Sequence, residues 1–374
     1  MNDQFDRRSF VKMAAAGAAW AMGRECLAAD ASDAKARPID PVRVGLVGIG
    51  NRGTFLLSLL LDLEGVEVKA VCDIIPERVA KAQDMVAAAK QPKPTGYSRG
   101  ETDFQRLSET EELDLVINAT RPWKWHVPIS VAAMTAGKHA ATEVPAAETI
   151  DECWQLVETA QKTQKYCVML ENCCYFREAM LVHHMVRKGL FGELRHCEAG
   201  YQHYGGRRRR ATAKPPKEGQ VYPANSYPTH PIGPVAQWMD INRGNRFDYL
   251  VSMNADGTEG NPGADINTSL IRTARGQTIT LYFDTTLPRP YDLIYRVQGT
   301  RGIAMATADK IYIEGRSPKP DTWESMEPYY EEFEHPLWKA LGEKALSRGG
   351  HGGGDWLEMH RLIKALQTGT PPDM

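Results

Sequence analysis

The chain lacks the cysteine spacing that a disulfide framework or a zinc site needs. Seven cysteines are scattered through 374 residues with no CxxC pair, and Cys173 and Cys174 are adjacent, where two thiols rarely bridge each other. They read as buried thiols. No cluster of His, Cys and Asp with ligand spacing stands out either, so no metal is expected. Charge of one sign is also lacking. Lys and Arg number 45 against 47 Asp and Glu, a net charge of −2, which supplies no field for nucleic acid or an anionic membrane. No apolar run is long enough to span a bilayer, and no internal repeat is visible. What remains is an ordinary globular composition, 42% hydrophobic and 25% charged, in a chain long enough for two cores.

The N-terminus differs in kind. Asp6-Arg7-Arg8-Ser9-Phe10-Val11-Lys12 precedes an Ala-rich apolar run from Met13 to Met22 and small residues at Ala28 and Ala29. An arginine pair before a short, weakly hydrophobic core resembles a twin-arginine export signal, which predicts a periplasmic or secreted protein. Residues 1–30 are assigned to that signal and 31–41 to a polar linker.

From residue 42 the pattern is α/β. Val42–Val47 reads as a buried strand, Thr54–Leu63 as a helix, and Val66, Val68 and Ala70 alternate into a strand ending at Cys72-Asp73. Leu113–Ala119 and His139–Thr142 read as further strands, and Thr149 with Glu152 has capping-box spacing. Strands alternating with helices predict a doubly wound parallel sheet, a Rossmann domain over 42–171. Beyond it, a helix over Arg177–Lys188 is followed by period-two segments at 193–202, 268–273, 278–283, 294–298 and 310–313. These predict an α+β domain over 172–374 with a mostly antiparallel open sheet.

Gly48-Ile49-Gly50-Asn51-Arg52-Gly53 lies between the first strand and the first helix, with Asp73 twenty residues beyond Gly53. Gly48 permits the tight turn, Gly50 lets backbone approach a pyrophosphate, and Gly53 lets helix and strand pack closely. The helix N-terminus offers unpaired N–H groups to the phosphates. Asp73 is placed to accept from a ribose diol. Its charge repels a 2′-phosphate, and Ile74 and Ile75 offer no arginine, so NAD is expected over NADP.

Six further stretches carry a family resemblance: Trp123-Lys124-Trp125-His126, Glu143-Val144-Pro145-Ala146-Ala147, Tyr227-Pro228-Thr229-His230, Gly233-Pro234-Val235-Ala236, Ile241-Asn242-Arg243-Gly244 and Gly350-His351-Gly352-Gly353. With them the chain from Val42 onward resembles the Gfo/Idh/MocA superfamily and, within it, glycoside hydrolase family 109, whose founding activity is α-N-acetylgalactosaminidase. The resemblance implies that Asn51, Arg52, Asp73, Trp123, Lys124, Trp125, His126, Glu143, Val144 and Asn172 surround NAD. It sets Tyr201, Tyr227, Pro228, Thr229, His230 and Tyr291 against a sugar, and Tyr201 and Tyr291 are expected to project from strands. Val144 replaces the lysine that dehydrogenases of the superfamily carry, as in family 109. Three departures stand out: Arg121 occupies a position where relatives run from a small residue into Pro-Trp, the stretch between Met253 and Asp265 is shorter than the family's, and relatives continue where this chain reaches Pro372-Asp373-Met374.

An imidazole such as that of His230 takes a hydroxyl proton near neutral pH, with Tyr227 assisting. No carboxylate pair stands out for ordinary glycoside hydrolysis, and an NAD-assisted route needs none. In that route the sugar C3 hydroxyl is oxidised, the C2 proton is lost, the C1 substituent leaves, water adds and C3 is reduced again, giving hydrolysis with retention. The alternative is a sugar dehydrogenase or oxidoreductase. His351 in its glycine loop approaches the site in this reading. Arg207–Arg210 reads as a solvated basic loop, and a small-molecule glycoside is the expected partner, with a homodimer or tetramer through the open sheet face.

Overall fold

The computed structural model describes residues 38–204, 225–255 and 266–373; the export-type segment and Arg207–Arg210 lie outside the described residues. Six short runs pair in parallel: β1 (Val42–Val47), β2 (Val66–Cys72), β3 (Thr95–Tyr97), β4 (Leu115–Asn118), β5 (His139–Glu143) and β6 (Cys167–Leu170). Their order is β3-β2-β1-β4-β5-β6. All four residues of β4 are buried, as in a strand covered on both faces. Between the strands run α1 (Asn51–Leu60), α2 (Pro76–Ala88), α3 (Asp103–Thr110), α4 (His126–Thr135) and α5 (Ile150–Thr163). The Thr149 side chain accepts from Glu152 N–H, and the Glu152 carboxylate accepts from Thr149 N–H at 3.0 Å, completing the capping box that opens α5.

The second sheet holds β7 (Leu194–Gln202), β8 (Phe247–Asn254), β9 (Asn267–Thr273), β10 (Thr278–Asp284), β11 (Arg296–Gly299), β12 (Gly302–Met305) and β13 (Lys310–Ile313), in the order β13-β12-β11-β7-β10-β9-β8. It is antiparallel except for the parallel pair β7–β10. Helices α6 (Arg177–Arg187) and α7 (Thr229–Trp238) and the short α8 (Glu327–Phe333) pack into its core through Leu181, Met185, Val235, Trp238 and Tyr329. The last two helices, α9 (Pro336–Arg348) and α10 (Gly354–Thr368), return to the first domain. Trp338, Trp356, Leu357 and Leu362 join the core built on Val42, Leu46 and Leu56.

Three features depart from what local pattern shows. Thr229–Trp238 is a helix although it carries Pro231 and Pro234. Pro234 has no N–H for the carbonyl of His230, one turn earlier, and the buried Tyr295 hydroxyl donates to that carbonyl at 2.8 Å instead. Strand β8 was not anticipated, because Phe247, Tyr249, Leu250, Val251 and Met253 are apolar on both parities; its side chains are exposed. Tyr291, expected on a strand, lies in the loop between β10 and β11, whereas Tyr201 is on β7.

Candidate functional site

Where the strand order reverses, between β1 and β4, the sheet opens a cavity of about 560 Å³ lined by Gly48, Gly50, Asn51, Arg52, Asp73 and Trp125, among others. The glycines explain its shape. Gly48 has φ +89°, and a Cβ there would sit 2.8 Å from the backbone of Ala119–Thr120. A Cβ on Gly53 would overlap the Gly48 carbonyl, while one on Gly50 would meet nothing closer than 4.0 Å, leaving open space for a ligand. No side chain caps α1, so its first N–H groups face that space, which fits the pyrophosphate of a dinucleotide. Asp73 accepts from Ile49 N–H at 2.7 Å and Ile75 N–H at 2.9 Å, which locks the glycine turn to the end of β2. The expectation that no arginine stands near Asp73 is corrected by the structure. Arg78, in the first turn of α2, lies 3.6 Å from Asp73 and lines the cavity, so an arginine does reach the ribose end. Discrimination there rests on the buried Asp73 carboxylate.

Beside the cavity, Arg52 Nε donates to Glu143 Oε1 at 2.6 Å and its Nη1 pairs with Asp355 Oδ1 at 2.8 Å. Burial works against the guanidinium charge, and Glu143 and Asp355 more than offset it, holding Arg52 above its ordinary range. The Asn172 amide donates to Asp355 at 2.8 Å and meets His351 Nδ1 at 3.2 Å; His351 is 2.7 Å from the other Asp355 oxygen. Burial pushes the Asp355 carboxyl up, but His351 and Arg52 bring it below the usual carboxylate range. Glu143, at the end of β5, is thus the ion-pair partner of Arg52.

The Trp123–His126 stretch divides by function. Trp123 stacks on Tyr227, with ring centroids 5.9 Å apart, and Trp125 meets Phe104 edge-on. Lys124 is exposed along the Trp125 ring. His126 is fully buried with both ring nitrogens at carbonyls, Pro145 at 2.7 Å and Thr120 at 3.0 Å, so it braces the cavity wall from behind. Val144 is buried.

On the second-domain side, Tyr201 centres an aromatic cluster with Tyr227 at 4.9 Å, His230 at 5.4 Å and Tyr291 at 6.3 Å. His230 Nδ1 lies 2.7 Å from Oε1 of Glu171, which is fully buried at the end of β6. Glu171 was missed by the sequence reading. It stands 59 residues from His230, and its local signal is Gly233, where a Cβ would come 2.7 Å from Glu171 Cγ. The glycine exists so that helix and carboxylate can touch. Pro228 precedes α7, and Thr229 in its first turn is buried. Burial, with Glu143 and Tyr201 nearby, pushes the Tyr227 phenol up, so Tyr227 stays protonated.

The expectation that no ligand cluster exists also changes. Glu171, Cys173 and His230 bring ligand atoms within 4.8 Å of one another. Their closest approach, 2.7 Å between Glu171 and His230, is a hydrogen-bond distance, shorter than about 3.3 Å between two donors around tetrahedral zinc. Burial also holds the Cys173 thiol well above its ordinary range, against thiolate ligation.

Residues 42–171 match the oxidoreductase family with an NAD-binding Rossmann fold, and residues 206–261 and 259–374 match the C-terminal domain of glycosyl hydrolase 109. A glycosyl hydrolase family 109 protein of Solibacter usitatus is 40% identical over 403 residues, spanning 100% of this chain and 90% of that one. The α-N-acetylgalactosaminidase of Shewanella oneidensis is 39% identical over 361 residues, 90% of this chain and 78% of that enzyme. In fold, the chain is similar to an oxidoreductase domain protein from Kribbella flavida, with a TM-score of 0.69 at 17% identity over 90% of this chain and 92% of that one. An NAD-binding Rossmann domain joined to a second domain whose residues 206–374 match the glycosyl hydrolase 109 C-terminal domain, in a chain 40% identical along its length to a member, places the chain in glycosyl hydrolase family 109.

Proposed function

We propose that this protein is an NAD-dependent glycosidase acting on α-N-acetylgalactosaminides or closely related hexosaminides, with no net redox change. The observation that carries the reading is the Glu171–His230 pair, set among sugar-sized aromatic side chains beside the dinucleotide cavity. Asp73, the glycine turn and the α1 N-terminus hold NAD, with Trp125 at the cavity wall. When bound, NAD accepts a hydride from the sugar C3 carbon and returns it at the end of the cycle. The protein's own work is proton handling and orientation. With Nδ1–H donating to Glu171, His230 presents Nε2 as the acceptor for the C3 hydroxyl proton. Tyr227, kept protonated, donates a hydrogen bond to the sugar instead of acting as base. Tyr201 and Tyr291 offer ring faces and hydroxyls to the sugar.

A sugar dehydrogenase is the competing reading, and the related folds of oxidoreductases favour it. The buried Val144 opposes it, because it supplies no ammonium where dehydrogenases of this superfamily carry a lysine. Export through the Arg7-Arg8 segment fits a retained, recycled cofactor better than a net producer of NADH. Two copies of the chain associate, in this account, through the exposed face of β8 and β9. The test of the activity is direct. Purified protein without added NAD should release nitrophenol from the α-linked N-acetylgalactosaminide; release from none of a panel of α- and β-hexosaminides contradicts the proposal.

A further inference from the structure

A glycosidase cycle must also protonate the departing oxygen, and no residue discussed above does so. Two cavities adjoin in the second domain. One, of about 360 Å³, is lined by Asn172, Tyr201, His230 and His351; the other, of about 620 Å³, by Arg289, Asp292, Thr307 and Tyr330. Phe176, Glu178 and Tyr291 line both. A sugar held at His230 with its substituent extending into the larger cavity passes these three side chains at the bond between the two parts.

Among the described acidic groups that line these two cavities, Glu178 alone is uncommitted. Asp292 Oδ1 accepts from Ile294 N–H at 2.7 Å and from the Thr307 hydroxyl at 3.1 Å. Tyr291 is a phenol, weaker as an acid than a carboxylic acid by about six pKa units. Glu178 stands in the first turn of α6, half-buried, and forms no ion pair or side-chain hydrogen bond with the described residues. Burial pushes its carboxyl up, against its own backbone N–H and the neighbouring Arg177, toward the protonated form a general acid requires. Tyr291 and Tyr330, both neutral phenols, lie near enough to feel its charge, and His230, His351, Cys173, Tyr201 and Asp292 are the other titratable groups lining the two cavities. Arg177 lines the smaller cavity, and Arg289, the cation of the larger one, is held by Asp284 and Gln202.

We propose that Glu178 is the general acid for aglycone departure, with the sugar in the His230 cavity and the aglycone in the larger one. This role rests on the glycosidase reading. In the C3-oxidised sugar, the C2 proton leaves to solvent water and its electron pair forms the C1–C2 double bond. The C1–O pair passes to the glycosidic oxygen, which takes the Glu178 proton and departs as an alcohol. Water then adds to C1, giving its proton to the Glu178 carboxylate, while C2 takes a proton back from solvent.

The test compares Glu178→Gln with wild-type holoenzyme on two N-acetylgalactosaminides, methyl and 2,4-dinitrophenyl. A methyl aglycone needs the acid, so its kcat/KM should fall about 100- to 10,000-fold. Dinitrophenolate leaves unaided, so its rate should stay within about tenfold. Glu178→Ala should show the same split, with its melting temperature confirming the fold. Equal losses on both substrates, or no loss on the methyl glycoside, overturn the assignment. A wild-type protein that turns over neither substrate overturns the glycosidase reading, and the Glu178 role with it.

Discussion

At the scale of single residues, the account depends on how one imidazole is held. His230 was visible from the motif Tyr227-Pro228-Thr229-His230, but its partner Glu171 was not, because the contact joins the end of a Rossmann strand to a helix of the other domain. Glu171→Gln keeps the shape and replaces an obligate acceptor by an amide, so the Nδ1–H tautomer of His230 loses its support. The variant should lose about 100-fold or more in kcat while its melting temperature and NAD content stay close to wild type. Unchanged kcat would show that the pair only packs. Arg78 carries the same lesson. A window two residues wide after Asp73 holds no arginine, yet one helical turn brings a guanidinium back to 3.6 Å from that carboxylate.

Among the elements, α7 shows what local pattern leaves out. Two prolines argue against a helix, and the missing bond is made good by Tyr295, 65 residues away in sequence. Tyr295→Phe should therefore destabilise the protein by about 1–3 kcal/mol, because the His230 carbonyl is left buried without a donor. It should also lower kcat with little change in NAD binding; thermal unfolding and single-turnover kinetics read the two effects separately. The Rossmann half was legible because each element there follows from adjacent residues: β-branched runs, a glycine turn, a capping box. In the second half, β8 has no alternation to read, and α9 and α10 pack against a core some 300 residues earlier, as in the Trp356–Asp62 hydrogen bond. Nearest-neighbour pattern carries neither. The cofactor cleft was thus readable as sequence, whereas the junction at Glu178 and the support of His230 exist only in three dimensions.

Over the whole molecule, three histidines, one buried and two half-buried, weaken the fold in acid. His139, His183 and His335 have pKa values of about 4, lowered by burial, against an ordinary value of about 6.5. The unfolded chain binds protons that the folded one refuses, so their contribution is complete above pH 6.5 and is lost as the pH falls from 6.5 to 4. His351 acts oppositely through Asp355, but its side chain is 59% exposed and screening weakens it. The melting temperature should drop between pH 7 and pH 4.5, less so in His183→Gln; a flat profile contradicts the linkage. The exposed apolar face of β8 predicts a dimer or larger assembly by light scattering, and Leu250→Glu should dissociate it; a wild-type monomer contradicts this. The central claim is that hydrolysis proceeds through transient oxidation with no net redox change. Hydrolysis in deuterium oxide, without added NAD, tests it most directly: the account predicts one solvent deuterium at C2 of the released sugar and no accumulating NADH absorbance. A product with protium fully retained at C2, or stoichiometric NADH, would contradict it.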